Sequence, residues 1–490
     1  MRLVDLLKDI YDDALPEPCE DIDVQSVCSD SREVAPGSLF VALRGPKEEG
    51  SRYIPDAVQN GARVIVTDCA DWRGSAPCVL RVPDAQRCLQ KLVWRFYGDA
   101  CQGLRVIGVT GTNGKTTITY LVESILKQAG RSCGVVGTIN SRLGDTVWPS
   151  KNTTPGLVEN FRFLSGLASQ GAEACVMEVS SHGLHQGRVE GIPFVQAVLT
   201  NVTQDHLDYH QNMEDYFLAK SRLFVSLSAQ STAVINGDDP YGRRLCSLTK
   251  GRLLTYGVES PADFMAEEIR LSLSGTEFYV VTPHGRCQVK SGLIGQHNVY
   301  NILAACAVGL GEGVSWEHIQ TGVESCVSVP GRMEAIRCGQ PFHVFIDYAH
   351  TEDALQNVLR AIRAISRTRI ILVFGCRGDR DAGKRPKMGR VASEFADHVI
   401  VTNDNPRSEP PQQIIDQILS GFTHDRYRVI QDRTAAIEAA VQAAGMGDVV
   451  LLAGKGHENY QIFKNQTVPF DEKAIVRQCL YKRMSGSSSC

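Results

Sequence analysis

The segment with the most explicit chemistry is a glycine-rich loop, Thr110-Gly111-Thr112-Asn113-Gly114-Lys115-Thr116-Thr117, between an apolar strand pattern and an amphipathic helical pattern. Glycines let backbone N–H groups approach phosphate oxygens, and the first turn of a helix adds a favourable dipole. In this context Lys115 would neutralise the terminal phosphates of a nucleotide, and the Thr116 hydroxyl would contact Mg²⁺. Val109 stands where the general pattern has glycine, so the loop is a variant. The alternative is an accidental glycine-rich turn, but the strand–loop–helix context favours binding of a nucleoside triphosphate.

The elements that must position this loop follow from composition and hydrophobic periodicity. Composition shifts divide the 490 residues into three expected domains, 1–100, 101–331 and 332–490. In the last domain five apolar strand patterns alternate with helical patterns, which is typical of a doubly wound, Rossmann-like sheet. The predicted fold class is therefore α/β, with a mostly parallel sheet of the P-loop ATPase type in the central domain. Alternating residues over 268–294 predict added antiparallel hairpins.

The overall composition argues against several kinds of partner. Lys and Arg total 51 against 55 Asp and Glu, so the basic surplus needed for nucleic acid or an anionic membrane is missing. The longest apolar runs are far shorter than the roughly 20 residues of a membrane span. We therefore expect a cytoplasmic monomer that acts on small molecules. The 16 cysteines include no CxxC pair, which favours reduced core thiols over a zinc or redox site.

Three further side chains have types that suit metal chemistry, although each has an ordinary alternative. Glu178 ends an apolar strand pattern, where side chains reach the ligand crevice of a doubly wound sheet. A salt-bridged or helix-capping carboxylate is an equal alternative there. His206 follows another strand pattern, and the residue alone indicates a loop histidine. Lys220 lies on a helical pattern, and the residue alone indicates an ordinary surface lysine.

The loop TGTNGKTT resembles the ATP loop of the Mur ligase and folylpolyglutamate synthetase superfamily, whose members join an amino acid to a carboxylate with ATP. The resemblance implies ATP and Mg²⁺ as cofactors. It also implies that Glu178 is a Mg²⁺ ligand, that His206 lies near a second metal, and that Lys220 reacts with CO₂ to form a carbamate (N6-carboxylysine) that holds Mg²⁺. With Lys115 these residues would form the catalytic set, and Thr116 would join the metal ligands.

The resemblance assigns the nucleotide contacts beyond the loop. In GQHNVYNILAA, Asn298 and Asn301 look like the asparagines on the adenine side of ATP. Arg332, in a GRxE segment, would approach the phosphates, and Asp347 would hold the ribose. His350 would support the Asp347 loop. The loop residues expected to contact ATP are Gly111, Thr112, Asn113, Gly114, Lys115, Thr116 and Thr117.

A second group of matches implies a sugar-nucleotide substrate. CSDSREVAPGSLFVALRG resembles the uridine-nucleotide region of the family members that extend peptidoglycan precursors, with Ser31 in contact and the Pro46–Glu48 loop nearby. Hydroxyl, amide and guanidinium groups suit a diphosphate sugar and peptide carboxylates. The other residues matched to this site, which would bind UDP-N-acetylmuramoyl-L-alanyl-D-glutamate, are Asn152, Thr153, Thr154, Ser180, Gln186 and Arg188.

The last domain contains the motif for the amino-acid substrate, Asp404-Asn405-Pro406-Arg407. It resembles the motif of members that add meso-diaminopimelate, whereas lysine-adding relatives carry a different residue in place of the arginine. Diaminopimelate is lysine with a further carboxylate, which an arginine can bind through two parallel hydrogen bonds. A simple strand-to-helix turn is the alternative, and the turn could itself present the arginine. The supporting matches are Arg380, Gly454 and Glu458, and no functional effect is expected of Arg377, a departure from many relatives.

Together these matches imply an ATP-dependent ligase of peptidoglycan precursor synthesis. It would join meso-2,6-diaminopimelate to the D-glutamate γ-carboxylate of UDP-N-acetylmuramoyl-L-alanyl-D-glutamate through an acyl phosphate. A lysine-adding relative is the nearest alternative, opposed mainly by Arg407. A folylpolyglutamate synthetase would share the ATP loop but lack the other two sets of matches. A nucleotide-dependent binding or switch protein is the alternative from another functional class.

Overall fold

The computed structural model describes residues 1–490 except 12–14, 16–18, 45–48, 71, 73, 75, 465 and 487–490. The expected Pro46–Glu48 contact therefore lies outside the described residues. The chain forms two compact units. The first contains residues 1–115 and 129–255, and the second contains residues 116–128 and 256–490.

The first unit begins with a small parallel sheet. Its strands are short and almost wholly buried, as expected for a sheet covered on both faces. The helix Ala85–Tyr97 packs one apolar face into this core, and its Asp84 cap accepts a hydrogen bond from the Arg87 N–H at 2.9 Å. In spatial order the four strands are Ser26–Cys28, Ser38–Ala42, Val64–Thr67 and Val79–Arg81.

A cysteine pair in this region corrects one expectation. Cys19 and Cys78 form a disulfide with their Cα atoms 5.8 Å apart. The expectation of reduced thiols is therefore wrong for this pair. It fails because the two residues are 59 positions apart in the sequence, so spacing gives no sign of their contact. The other cysteines within the described ranges take no part in this disulfide.

The larger sheet of the first unit carries the glycine-rich loop. Arg105–Thr110 lies between Phe194–Leu199 and Ala174–Glu178, and all three strands are parallel. Carboxyl ends of parallel strands meet at one sheet edge, so this order brings the loop, Glu178 and the segment after Leu199 together. In spatial order the strands within this unit are Thr232–Asn236, Phe194–Leu199, Arg105–Thr110, Ala174–Glu178, Cys133–Val136, Asn140–Leu143 and Thr146–Pro149.

Helices of the first unit connect these strands. The α-helices are Leu3–Leu7, Ile54–Gln59, Ala85–Tyr97, Leu157–Ser169, Ser181–His185, Leu207–His210, Met213–Val225 and Pro240–Leu245. Short 3₁₀ turns cover Cys19–Asp21, Ser31–Glu33, Gly50–Tyr53 and Asp99–Cys101.

The second unit contains a six-stranded sheet, parallel except at one edge. Successive residues of its strands alternate between two cores: Phe345 and Leu372 lie in one core, and Val344 and Ile371 in the other. Helices therefore cover both faces, which confirms the predicted doubly wound arrangement. In spatial order the strands are Glu334–Ala335, His343–Asp347, Val449–Ala453, Ile370–Phe374, His398–Val401 and Tyr427–Val429.

The remaining parts of the second unit include the predicted hairpins. Phe264–Ser272, Gly275–Thr282 and Gly285–Ser291 pair antiparallel, as the alternation over 268–294 predicts. The strand Arg252–Gly257 leads into them from the first unit, and a small hairpin pairs Tyr460–Phe463 with Gln466–Pro469. The helices are Lys115–Gln128, Gln296–Gly311, Trp316–Ser325, Glu352–Ile365, Lys384–Phe395, Pro411–Leu419, Arg433–Ala443 and Glu472–Gly486. Over the described ranges, no helix has the length and apolar character needed to cross a membrane.

Candidate active site

The phosphate loop, Thr110–Thr117, has a backbone shaped by the end of a neighbouring strand. Gly111 has φ 143°, and a Cβ at this position would lie 1.8 Å from Thr200 Oγ1. Only glycine can occupy this position without displacing the neighbouring strand end. The Thr112 N–H donates to the Asn201 carbonyl at 2.8 Å. The loop is therefore a formed structure of the sheet edge, and the alternative of an accidental turn does not fit it.

Two side chains at the end of the loop have the chemistry that a triphosphate requires. The Lys115 ammonium folds over the loop and donates to the carbonyls of Gly111 and Thr112, both at 2.8 Å. The helix begins at Lys115, as predicted. The next residue, Thr116, is 4% exposed, and its hydroxyl accepts a hydrogen bond from Arg332 Nη2 at 3.3 Å. Arg332 thus contacts Thr116 within the second unit, and its contact with phosphate stays a prediction.

Glu178 is a buried carboxylate with a fixed orientation. It is 1% exposed and ends the strand Ala174–Glu178. Its Oε1 accepts from the Thr138 N–H and its Oε2 from the Thr138 hydroxyl, both at 2.8 Å. A Cβ at Gly137 would lie 2.5 Å from Oε1, so the backbone passes directly beside the carboxylate. A carboxylate held in this way is a suitable ligand for a hard cation.

Lys220 is buried, contrary to what the residue alone indicates. Its side chain is 1% exposed, and its Nζ donates to the Gly111 carbonyl of the phosphate loop at 2.8 Å. The ammonium also lies 4.3 Å from the centre of the Tyr216 ring. Burial, followed by the positive charge of Lys115, lowers the pKa of Lys220 well below its ordinary value. A larger share of this amine is therefore neutral, which is the form that reacts with CO₂.

His206 lies on the segment after Leu199, in a strained backbone conformation. Its φ is 53°, in the left-handed region that non-glycine residues seldom adopt. Its Nε2 lies 3.4 Å from Asp205 Oδ2. Desolvation lowers the pKa of His206, the charge of Asp205 opposes that shift, and Lys115 and Lys220 lower the pKa further. The balance favours the neutral ring, which is the form of histidine that binds a metal.

Four of the residues matched to the dipeptide substrate are joined to one another by hydrogen bonds, and a fifth contacts the threonine that holds Glu178. Thr154 Oγ1 donates to Ser180 Oγ at 3.1 Å, and Arg188 Nη1 donates to the Thr154 carbonyl at 2.8 Å. Arg188 Nε also donates to Gln186 Oε1 at 2.9 Å. Thr153 Oγ1 lies 3.0 Å from the Thr138 hydroxyl that holds Glu178. The matched set therefore continues directly into the carboxylate site.

Two further residues of that set are placed differently. Asn152 is exposed beside Thr153. Ser31 is buried in the N-terminal region, where its carbonyl accepts a hydrogen bond from Asn60 Nδ2 at 2.9 Å. The structure therefore associates Ser31 with the small sheet and the others with the large one.

The residues matched to the nucleoside part of ATP are buried in the second unit. The Asp347 carboxylate accepts from the Met333 N–H at 2.7 Å and the Ala349 N–H at 2.8 Å, and burial raises its pKa. Asn301 Nδ2 donates to Asn298 Oδ1 at 2.9 Å within the helix Gln296–Gly311. Both asparagines are therefore held in place by the helix before any ligand contact.

Arg407 is positioned by pairing with a distant strand. Its φ is 54°, and its N–H donates to the Ile462 carbonyl at 3.0 Å. Its Nε is shielded from solvent and has no hydrogen-bond partner among the described residues. A buried donor without a partner costs about 1–3 kcal/mol, and an anionic ligand would satisfy it. Arg380 is exposed on the adjacent segment, with its Nη1 3.4 Å from the Asp379 carbonyl.

Residues preceding Arg407 in its turn belong to an ion-pair cluster of Arg377, Asp404, Asn405, Lys455 and Glu458. Arg377 Nη2 lies 2.8 Å from Glu458 Oε1, and Lys455 Nζ lies 3.4 Å from Asp404 Oδ1. Asn405 Nδ2 donates to Glu458 Oε2 at 3.2 Å. Burial alone would raise the pKa of Asp404, but Lys455 and Arg377 outweigh it and the pKa is lowered. The expected residues Asp404, Asn405 and Glu458 are all buried here, and Glu458 is the least buried of the three.

Gly454 allows the backbone to pass close to the Asp404 carboxylate of this cluster. Its φ is 111°, and a Cβ would lie 2.9 Å from Asp404 Oδ2. Pro406 continues the turn, and its carbonyl would lie 1.8 Å from a Cβ at Gly378. Glycine is therefore required at both positions by the close approach of two segments.

Sequence reasoning missed several residues of the site. Lys455 lies between two glycines after a strand, and Tyr348 lies in the segment of Asp347; both positions follow strand ends, which is a usable signal. The Tyr348 ring centre lies 5.1 Å from Arg332 Cζ and 5.3 Å from Arg377 Cζ. Thr138 gives no signal in the sequence, because its role depends on contact with a strand forty residues away.

Comparison with known proteins extends over nearly the whole chain. Family models match residues 23–97 (Mur ligase family, catalytic domain), 109–309 (Mur ligase middle domain) and 331–456 (Mur ligase, glutamate ligase domain). A solved UDP-N-acetylmuramoyl-L-alanyl-D-glutamate–2,6-diaminopimelate ligase is 33% identical, with a TM-score of 0.72, over 99% of this chain and 100% of that one. The expected α/β fold in three domains is thereby confirmed.

Curated relatives are similar over the same extent. The UDP-N-acetylmuramoyl-L-alanyl-D-glutamate–2,6-diaminopimelate ligase of Caldanaerobacter subterraneus subsp. tengcongensis is 43% identical over 482 residues, 98% of this chain and 99% of the relative. The ligase of the same name from Geobacillus kaustophilus is 43% identical over 469 residues, 94% of this chain and 96% of the relative. The chain therefore belongs to the Mur ligase family.

Proposed function

We propose that this protein is the ATP-dependent ligase that adds meso-2,6-diaminopimelate to the D-glutamate γ-carboxylate of UDP-N-acetylmuramoyl-L-alanyl-D-glutamate. The relatives with 43% identity across the chain carry that name. The observation that carries the choice of amino acid is Arg407, whose shielded Nε has no partner among the described residues, on the same turn as Asn405, which donates to Glu458. A cationic and an anionic side chain suit the two opposite charges at the far end of diaminopimelate.

The residues of the phosphate loop fit ATP and Mg²⁺. Lys115 would leave the loop carbonyls and bind the terminal phosphates, and Arg332 beside Thr116 would add a second cation. Glu178 and Lys220, as its carbamate, would hold Mg²⁺ together with the Thr116 hydroxyl. The metal supplies neutralisation of phosphate charge during transfer.

The chemistry proceeds in two displacements. The γ-carboxylate of the bound dipeptide attacks the terminal phosphorus, and ADP leaves with the bridging oxygen to give an acyl phosphate. An amine of diaminopimelate then attacks the carbonyl carbon, and the tetrahedral intermediate expels phosphate as the amide forms. The protein contributes mainly by positioning the groups and by placing fixed positive charge beside the transferred phosphoryl group.

The dipeptide would be held by the hydrogen-bonded set around Thr154. Arg188 can bind a carboxylate or phosphate, since it is positioned by Gln186 and by the Thr154 carbonyl. The set shares Thr138 with Glu178 through Thr153, so binding of the dipeptide and positioning of the carboxylate ligand are coupled. Ser31 would contribute from the N-terminal domain.

The first experiment offers meso-diaminopimelate or L-lysine separately, with ATP, Mg²⁺ and the dipeptide substrate, and measures phosphate release and product mass. We expect strong preference for diaminopimelate. Preference for lysine would keep the ligase but contradict the role of Arg407. Phosphate release that depends on neither the dipeptide nor the amino acid would favour a nucleotide-dependent switch instead.

Arg407→Gln tests the acceptor site directly. We expect kcat/KM for meso-diaminopimelate to fall by about 100-fold, because an arginine–carboxylate pair shielded from water is lost. Turnover of lysine, which has no distal carboxylate, should change little. Arg367→Gln is the matched control, since Arg367 is exposed in the same domain. An unchanged preference in Arg407→Gln would contradict the assignment.

We also propose the domain boundaries and the oligomeric state. We place the sugar-nucleotide domain at 1–100, the ATP domain at 101–331 and the amino-acid domain at 332–490, with the protein a cytoplasmic monomer. Light scattering of the full chain tests the monomer, and a dimer mass would contradict it.

A further inference from the structure

Arg377 is one of two cationic side chains in the buried ion-pair cluster, which also contains two carboxylates. The carboxylates of Asp404 and Glu458 face the cations of Arg377 and Lys455, and these side chains are 0%, 7%, 12% and 0% exposed in that order. The nearby Arg433 is already paired with Glu472 at 2.7 Å, so it does not alter this balance. A ligand that adds a charge to this cluster must therefore also add the opposite charge, so that the cluster stays balanced.

The shortest side-chain contact of the Arg377 guanidinium is with Glu458. Its one short contact is Nη2 to Glu458 Oε1 at 2.8 Å. The contacts to the Gly454 carbonyl and the Tyr348 hydroxyl are 3.4 and 3.5 Å, and Nε lies 3.7 Å from Asp404 Oδ2. Arg377 Nε and Asp404 Oδ2 both lack hydrogen-bond partners among the described residues. The guanidinium is thus held by one short ion pair with Glu458 and one longer ion pair with Asp404.

We propose that Arg377 is a specificity-determining residue, which occupies Glu458 until an acceptor supplies both an ammonium and a carboxylate. This inference rests on the proposed function, in which Glu458 receives the distal ammonium. On binding, that ammonium replaces Arg377 at Glu458, and the released guanidinium pairs with the distal carboxylate beside Arg407. The short pair of Arg377 with Glu458 is exchanged for two pairs with the ligand, and the charge stays balanced.

The exchange rejects acceptors with only one distal charge. The ammonium of lysine would displace Arg377 from Glu458 and leave the cluster with one excess positive charge, since only the longer pair with Asp404 would remain for Arg377. An acceptor with only the distal carboxylate would draw Arg377 away and leave one excess negative charge, with Lys455, 3.6 Å from Glu458, as the remaining cation. An uncompensated charge in a buried cluster is strongly unfavourable. Each distal group should therefore contribute to binding chiefly when the other is present.

Four acceptors test this dependence in the unmodified protein. meso-Diaminopimelate carries both distal groups, lysine carries only the ammonium, 2-aminopimelate carries only the carboxylate, and norleucine carries neither. The apparent KM and kcat of each are measured with ATP and the dipeptide held saturating, and calorimetry gives Kd where turnover is too slow. We expect the two distal groups to be coupled. Their joint effect on kcat/KM or affinity should exceed the product of their separate effects by at least about tenfold. Additive contributions in the wild-type protein would overturn the proposal.

Variants assign the coupling to Arg377. In Arg377→Gln the coupling between the two distal groups should fall by about tenfold. The main cause should be a lower KM for lysine, while the kcat for lysine changes little. Arg377→Lys keeps the charge and should retain most of the coupling, and Arg367→Gln should behave as wild type. A merely structural role would lower kcat for all acceptors alike and leave the coupling unchanged, which would overturn the proposal. Failure of wild-type protein to ligate diaminopimelate would instead overturn the proposed function.

Discussion

Replacing Lys115 with alanine should reduce ligation by roughly 10³-fold or more, while the protein stays folded. Removing one positioned donor from a charge-stabilising site commonly costs about 10²–10³ in kcat, and Lys115 would bring a full charge to the terminal phosphates. Its ammonium donates to the backbone carbonyls of Gly111 and Thr112. Initial rates of phosphate release with all three substrates, at saturating ATP, measure the effect.

Two comparisons separate this role from general damage to the loop. Lys115→Arg retains the charge and should keep more activity than alanine, although the larger guanidinium fits the loop less well. Lys127→Ala removes an exposed lysine from the same helix and should leave the rate unchanged. An unaltered unfolding temperature in Lys115→Ala shows that the fold persists. Activity of that variant within tenfold of wild type would refute the phosphate role of Lys115.

The parts of the fold that depend on local pattern were predictable from the sequence. Strands such as Ile370–Phe374 and Val449–Ala453 are short apolar runs buried on both faces, and the helices between them have one apolar face. The phosphate loop was predictable for the same reason, because its chemistry is contained in eight consecutive residues. In both cases short stretches of chain carry enough information to specify the structure.

The site residues that could not be predicted are assembled from distant segments. Arg377, Asp404 and Glu458 come from three separate strand ends, and only their contact shows that their charges balance. Arg377 was expected to have no functional effect, since a single arginine after a strand has no distinctive spacing. The burial of Lys220 is another such case, because the helical pattern at 213–225 does not indicate how deeply that face is covered.

Lys220 should be required as a carbamate rather than as a cation. Burial and the nearby charge of Lys115 lower its pKa, so the amine loses its proton more easily and can attack CO₂ to give a carbamate and a released proton. The product carries a negative charge and oxygen ligands, which suit Mg²⁺ where the ammonium would repel it. Lys220→Ala should therefore lower kcat by roughly 10²–10³-fold, comparable to the loss of another charge-stabilising group.

Chemical rescue distinguishes the two forms of Lys220. Added short carboxylic acids such as formate, acetate or propionate should restore part of the activity of Lys220→Ala, because they supply a carboxylate in the space left by the side chain. Short alkylamines, which would replace a cation, should not. Lys220→Arg keeps the positive charge, fills the space and should be neither active nor rescued. Rescue by amines alone, or no incorporation of isotopically labelled bicarbonate into the wild-type protein, would mean that the lysine acts as an amine and that the cation is held by Glu178 without it.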